Sequence, residues 1–363
     1  MLYLAIDLHG KQLTVSVRNE SGETIQRRQV STEWERVRKF LAELAALAAP
    51  TGGFVAMLEV CGFHDWAVKL LAEYGCRETV LVQPTARGKR KTDRRDAQQL
   101  GELLWTNRAR LLAGQSVQGV RRVSPPREVD GENRQLTALR QRAGRLRTRT
   151  LNRIHRLLLK HNLAQELPTK GLQTQRARVW LRSVTLPEID RLEMDLLLEQ
   201  WELWSRQLAA LDDAIKTRQA ACPTATLIAT MPGAGAFGSL ALASRMDRIE
   251  RFPRPSSLAN YWGLVPSCRN SGEATKRFGS ITKEGSQVAR FLLGQIVLHV
   301  LRRDGAMKQW HARVKRRRGS KIARVAVMRR LATILWHMAR RGEPYVIGGA
   351  RLSVASAGID ENI

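Results

Sequence analysis

Four acidic residues stand where carboxylates serve chemistry. Asp7 closes the apolar run LYLAID, and Glu59 sits near the end of FVAMLEV. Asp93 and Asp96 are three residues apart at the start of an expected helix, a spacing that puts them on one face. Oxygen ligands at strand ends and a helix start suit a hard cation such as Mg²⁺, with Mn²⁺ able to substitute. Two such ions can clamp the attacking and leaving oxygens of a phosphodiester. For Asp93, capping its helix is a competing role. A second constellation is YWGLVPSCRNSGEATKRFGSITKEGSQVARFLL, residues 261–293, a Ser/Gly-rich stretch that ends in an apolar helix. Its cations Arg269, Lys276, Arg277 and Lys283 flank several hydroxyls. A serine must be activated to act as a nucleophile, and neighbouring cations stabilise the charge that develops on phosphate oxygens. The competing reading is a plain phosphate-binding loop. Chemistry alone leaves Ser267, Ser280 and Ser286 as equally exposed candidates. The densest basic run, Lys315-Arg316-Arg317-Arg318, reads as a contact to a nucleic-acid backbone.

These groups need a frame. Residues 2–7, 12–18 and 23–29 read as a meander of three strands, turning at His9-Gly10 and Ser21-Gly22. Helices at 33–48, 63–74 and 94–107 alternate with strands at 54–60 and 79–82. That order, βββαβαβα, is the layout of an RNase H-like domain over residues 1–125. Residues 110–132, with Gly, Ser and a Pro-Pro step, read as a linker. A helical middle over 126–220 carries two heptad-like seams, Leu136/Leu139/Ala143/Leu146/Thr150 and Leu197/Trp201/Trp204/Leu208/Leu211/Ile215. An intramolecular hairpin and an intermolecular coiled coil both satisfy that pattern. Residues 221–363 are expected to form a mainly helical C-terminal domain, with Pro232-Gly233-Ala234-Gly235 between two apolar helical stretches. That turn suits a helix-hairpin-helix grip on phosphate, or simply close packing at Gly233 and Gly235.

Composition sets the class of partner. The chain has 363 residues, with 61 Lys plus Arg against 33 Asp plus Glu, a net charge of +28. Arginines number 48 and lysines 13, a bias that favours forked phosphate contacts. An ordinary neutral metabolic enzyme is excluded, and a polyanionic partner is indicated. Residues 221–363 carry a net +16 against +6 for residues 1–125. The hydrophobic content of 43% excludes a disordered basic tail. Four scattered cysteines argue against a disulfide framework or zinc site and for a reducing cytoplasm. The opening MLYLAIDLHG reads as a strand rather than a signal peptide, and FLLGQIVLHVL is too short to span a bilayer.

The blocks AIDLHGKQ, MLEVCG, KTDRRDAQQL, MPGAGAFGSLALASRM and the 261–293 stretch together resemble the DEDD transposases of bridge-RNA-guided bacterial insertion sequences. The resemblance runs over most of the chain. It implies a RuvC-like N-terminal nuclease domain, a coiled-coil middle and a C-terminal transposase domain. It implies that Asp7, Glu59, Asp93 and Asp96 are the metal ligands and that Ser271, in Asn270-Ser271-Gly272, is the recombination nucleophile, with Ser267 a minor rival. It further implies donor and target DNA, a noncoding RNA from the element, and a homo-oligomer, dimer or tetramer, whose active sites combine two protomers. The alternative on the same fold is a RuvC-like junction nuclease that uses metal-activated water.

Overall fold

A computed structural model of the chain describes residues 1–84, 93–115, 117–118, 120–268 and 278–348. They form two compact units, Met1–Pro125 and Pro126–Ile363.

The first unit is a mixed α/β sheet. Strands β1 (Leu2–Leu8), β2 (Gln12–Arg18) and β3 (Thr24–Ser31) form an antiparallel meander. Helix α1 (Trp34–Ala48) carries the chain across to β4 (Phe54–Glu59), which runs parallel to β1 on its other side. Helix α2 (Asp65–Glu73) leads to β5 (Cys76–Pro84), again parallel. Helices α3 (Asp93–Thr106) and α4 (Arg108–Leu112) precede β6 (Val120–Val123), which is antiparallel to β5. The sheet order is β3-β2-β1-β4-β5-β6. The segment expected to be a linker therefore holds α4 and the edge strand β6, and the Pro-Pro step ends β6 instead of opening a long loop. Only four residues long, β6 lies below the reach of pattern reading.

Every residue of β1 is buried, as a strand covered on both faces requires. Leu4, Ile6 and Leu8 face a core with Phe40 and Leu44 of α1 and Leu70 and Leu71 of α2. Tyr3 and Ala5 face the opposite core, with Val55 and Met57 of β4 and Leu100 and Leu104 of α3. Gly101 lets α3 lie close on the sheet: a Cβ there would sit 3.3 Å from Ser16 Oγ and 3.6 Å from Ala5 Cβ. Trp105, near the end of α3, donates its indole N–H to the Glu20 carbonyl at 3.2 Å, and Glu20 also receives the amino terminus at 2.8 Å. Helix α3 thus runs against β1, with its last turn at the start of β1 and its first turn toward the Asp7 end.

The second unit is mostly helical. Two 33-residue helices, α5 (Glu128–Lys160) and α7 (Glu188–Ala220), flank the short α6 (Gln175–Ser183). They are antiparallel partners. Glu132 meets Arg218, Arg140 meets Asp212, Arg153 meets Glu193 and Lys160 meets Asp190, so one number rises as the other falls. Leu197, Trp201, Leu208 and Ile215 of the expected α7 seam are buried. On α5, Ala143 and Thr150 of the expected seam are buried and Leu136 and Leu146 half-buried, while Leu139 is exposed; Asn133, Thr137 and Ile154 are buried besides. Thr137 accepts from Arg245 of α9 (Ala236–Met246), and the neighbouring Arg134 donates to the Ser244 carbonyl of the same helix. A tip core of Ile154, Leu158, Leu181, Met194 and Trp201 closes one end. The base core gathers α8 (Pro223–Ala229), α9, α10 (Pro255–Tyr261), α11 (Gln287–Arg303), α12 (Gly305–Arg318) and α13 (Ser320–Arg341) around the fully buried Trp262. A small hairpin, β7 (Pro266–Cys268) with β8 (Phe278–Ile281), projects from that base. Among the described residues, no helix is long and apolar enough to cross a membrane.

Candidate active site

Asp7 and Glu59 come together through strand register. The parallel pairing of β1 with β4 matches Ile6 to Leu58, so Asp7 and Glu59 are the next residues on neighbouring strands. The two-residue alternation puts both on the face covered by α3, because Ala5 and Met57 lie in that core. They stand at the carboxyl ends of the strands. In open α/β sheets, ligands bind outside the carboxyl ends of the strands. Asp7 is nearly buried, at 9% exposure, and contacts His9 through Nε2 at 3.1 Å. His9 is a partner that sequence reasoning missed. Its sequence signal is only its place two residues after Asp7, because β1 ends at Leu8 and strand alternation stops there.

Helix α3 brings the other two acids toward this end. Asp96 lies half-buried in the first turn of α3, next to the buried Ala97. Asp93 is the first residue of α3, and its side chain lies outside the described residues. Among the described residues no group of three or more His, Cys, Asp or Glu forms a metal cluster. The carboxylates of Asp7 and Glu59 nevertheless suit a hard divalent cation, being oxygen donors on one face of adjacent strands.

The serine constellation is described only at its base. Ser271, Arg269, Lys276 and Arg277 lie outside the described residues. Lys283 is exposed, just past β8, with a left-handed φ of 56°. Ser267, Ser280 and Ser286 are not equivalent. Ser280 is exposed on β8, Ser267 is half-buried on β7, and Ser286 caps α11 by accepting from the Ala289 N–H at 3.2 Å. Capping occupies Ser286 with structure.

The feet of the hairpin are tightly fixed. Gly263 has φ +67°, and a Cβ there would fall 2.0 Å from the Glu284 carbonyl oxygen; Gly285 has φ +77°, with a Cβ 1.9 Å from the Tyr261 oxygen. Two backbone segments thus cross at a distance that only glycine permits. Arg290 ties the crossing by donating from Nη1 to the carbonyls of Trp262 and Glu284, both at 2.9 Å. Burial lowers the Arg290 guanidinium from its ordinary value. Thr282 N–H then donates to Val265 at 2.9 Å, the first rung of the hairpin. Arg290 carries no sequence signal beyond its charge.

Gly233 has φ +87° and lies against the His299 ring, 2.7 Å from where its Cβ would be. Gly235 has nothing within 4 Å, so close packing explains one glycine of the turn and not the other. Lys315, Arg316, Arg317 and Arg318 form the exposed last turn of α12, where the helix dipole favours cations.

Two family models match the chain. A DEDD transposase model of the IS110 type matches residues 4–162, and the model described as Transposase IS116/IS110/IS902 family matches residues 225–312. The chain belongs to this transposase family. The first match includes Asp7, Glu59, Asp93 and Asp96, and the second includes β7, β8 and the sequence position of Ser271. Similar proteins include the transposase for insertion sequence element IS1111A of Coxiella burnetii, 25% identical over 87% of each chain. The putative transposase y4pF/y4sB of Sinorhizobium fredii is also 25% identical, over 84% of this chain and 77% of its own. The transposase for insertion sequence element IS1328 of Yersinia enterocolitica is 22% identical over 93% of this chain and 97% of its own. The transposase is thus a DNA-acting enzyme of an insertion sequence, and its DEDD family points to use of a divalent metal.

Proposed function

We propose that this transposase cuts and rejoins DNA through a phosphoserine, with Mg²⁺ held by Asp7, Glu59, Asp93 and Asp96 and with Ser271 as nucleophile. The observation that carries the acidic half is the register that sets Asp7 and Glu59 side by side at the carboxyl end of the sheet. The sheet order β3-β2-β1-β4-β5, with β1, β4 and β5 parallel, supports an RNase H-like, RuvC-like domain over residues 1–125. Residues 126–220 then serve as the helical, coiled-coil middle and residues 221–363 as the transposase domain that carries the serine.

When bound, the metal polarises the scissile phosphate and offsets charge on its oxygens. The protein's own groups do the rest. His9 holds the Asp7 carboxylate in one orientation. The Ser271 hydroxyl forms an Oγ–P bond as the P–O3′ bond breaks, and the hydroxyl proton ends on the released 3′ oxygen. Arg269, Lys276, Arg277 and Lys283 stabilise the phosphate charge in passing. Strand exchange and the reverse reaction then reseal the backbone.

Specificity rests with a noncoding RNA from the element that pairs with donor and target DNA. An arginine-rich chain of net charge +28 holds both backbones without reading sequence. Arg316 to Arg318 are one such contact. A homo-oligomer, dimer or tetramer, brings the acids of one protomer to the serine of another. An exposed apolar row on α7, Ile189, Leu192, Leu196 and Leu203, supports self-association through the middle domain. The site of action is the bacterial cytoplasm, at the nucleoid.

Asp7→Asn and Glu59→Gln test the acidic half. Each is expected to abolish strand cleavage in Mg²⁺ while leaving affinity for donor DNA unchanged. Wild-type cleavage by either variant removes that residue from the site.

A further inference from the structure

A slot of about 180 Å³ opens at the carboxyl end of the sheet, lined by His9, Gly10, Thr32, Trp34, Phe63 and Trp66. The known acids do not account for it. Trp34 and Trp66 begin α1 and α2, and their rings meet edge to face at 5.5 Å and 77°. With that contact made, Trp34 is still 55% exposed and Phe63 47%. Large aromatic rings left open at the N-termini of two helices are not explained by the core, which takes Phe40, Leu44, Leu70 and Leu71 from the same helices. The slot is smaller than the roughly 300–1,000 Å³ of an ordinary small-molecule site. It is also far smaller than the ~800 Å² per partner of a stable protein interface. It fits one flat ring system.

Its surroundings indicate whose ring that is. His9 lines the slot and contacts Asp7 at 3.1 Å, so the slot begins one side chain away from the carboxylate. The Arg38 guanidinium lies 5.6 Å from the Trp34 ring centre, a cation at the rim. Lys11 follows Gly10 on the exposed turn. An aromatic wall with cations at its edge and a phosphate-handling carboxylate beside it is the arrangement that stacks a base and follows its backbone. The geometry points to a stacking slot, formed by Trp34, Phe63 and Trp66, that takes one unpaired base of the DNA strand next to the phosphate handled at Asp7. This inference rests on the reading of Asp7 as part of the cleavage site. Stacking there fixes the strand while the neighbouring phosphate is attacked, and it is tolerant of sequence because every base has a flat face.

The test measures the affinity of the full-length protein for a short single-stranded DNA by fluorescence anisotropy, with the matching duplex and single-stranded RNA alongside. Trp34→Ala and Phe63→Ala are each expected to weaken single-stranded DNA binding by about 5- to 100-fold, from the worth of one stacked base. Duplex affinity should change less than about twofold, and the dependence on log salt should keep its slope because no phosphate contact is lost. Trp34→Tyr should restore most of the affinity. In the wild type, an iodinated deoxyuridine in the strand should photo-crosslink to the peptides that contain Trp34 or Phe63. The proposal is overturned if both alanine variants, with wild-type thermal melting, bind single-stranded DNA as the wild type does. Equal losses on duplex, or a loss confined to RNA, also overturn it. Formation of an Asp7-dependent product by the wild type keeps the transposase chemistry standing whatever the stacking assay gives, so the two failures are distinct.

Discussion

Gly285→Ala is the sharpest single change for the serine half of the molecule. Gly285 has φ +77°, and an added Cβ would lie 1.9 Å from the Tyr261 carbonyl oxygen and 3.1 Å from its carbon. The left-handed backbone alone costs alanine about 1–2 kcal/mol. The clash is with backbone, so no side-chain rotation relieves it and the two segments must part. Parting them breaks the Arg290 bonds to Trp262 and Glu284, both 2.9 Å. Loss of hydrogen bonds from a charged donor costs about 1.5–3 kcal/mol. A total of roughly 3–5 kcal/mol follows. For a unit of this size that lowers Tm by ~6–20 °C. Calorimetry reads the shift, and amide exchange at Thr282 and Lys283, whose N–H groups bond Val265 and Gly263, reads its place. Exchange there should accelerate while the β1 and β4 amides are unchanged. Gly171→Ala, with open space around it, is the control and should be neutral. Wild-type melting and unchanged protection in Gly285→Ala would refute the crossing as the hairpin's foundation.

The Asp130–Asp247 pair gives a contrast between two isosteric changes. Burial, then the hydrogen bond to Asp247, raises the Asp130 carboxyl. Burial also opposes ionisation of Asp247, but the bond from Asp130 and the charges of Arg251, Arg127 and Arg248 outweigh it and hold that carboxyl below the usual range. Of the two, Asp130 is the carboxyl that takes up a proton first as pH falls. Asp130→Asn should cost less than ~1 kcal/mol, whereas Asp247→Asn, which strips the charge facing Arg127 and Arg251, should cost ~1–3 kcal/mol more by urea unfolding. The stabilisation from protonated Asp130 is complete at acid pH and is lost as pH rises through its raised value; that from Asp247 is present above the ordinary carboxylate range and is lost as pH falls through its lowered value. Asp130→Asn should abolish the first decline and leave the second, and an unchanged pH profile would exclude the raised Asp130 carboxyl. Neutralising Arg316, Arg317 and Arg318 together should flatten the log–log salt dependence of duplex binding by roughly 0.9 per lost phosphate contact, and an unchanged slope would remove them from the interface.

The N-terminal frame was legible because its signals are local. LYLAID and FVAMLEV are apolar runs of strand length with an acid at or next to their last residue, and β1 and β4 place those acids at or next to the strand ends. The strand β6 was not legible. Four residues with two arginines give no pattern, and they become a strand only by pairing with β5. The α7 seam was readable from Leu197, Trp201, Leu208 and Ile215. The α5 seam was readable at Ala143 and Thr150 but not at Asn133 and Thr137, buried polar residues that hydrophobic periodicity does not register; Thr137 takes its hydrogen bond from Arg245 on another helix. Within the acidic site, the types and order of the residues were visible, but the His9 contact to Asp7 depends on how the chain leaves β1. Arg290 was invisible for a similar reason, since its acceptors are backbone carbonyls that no sequence pattern marks.

The most direct measurement of the central claim is a trapping assay. Full-length protein, its element's RNA, labelled donor DNA and Mg²⁺ are incubated, denatured and resolved for a covalent protein–DNA band, with Ser271→Ala, Asp7→Asn and a chelator in parallel. A band is expected in the wild type, and all three controls should abolish it. Nicked DNA with free ends and no band, under conditions where the wild type cleaves, would contradict it and assign the chemistry to activated water instead of Ser271.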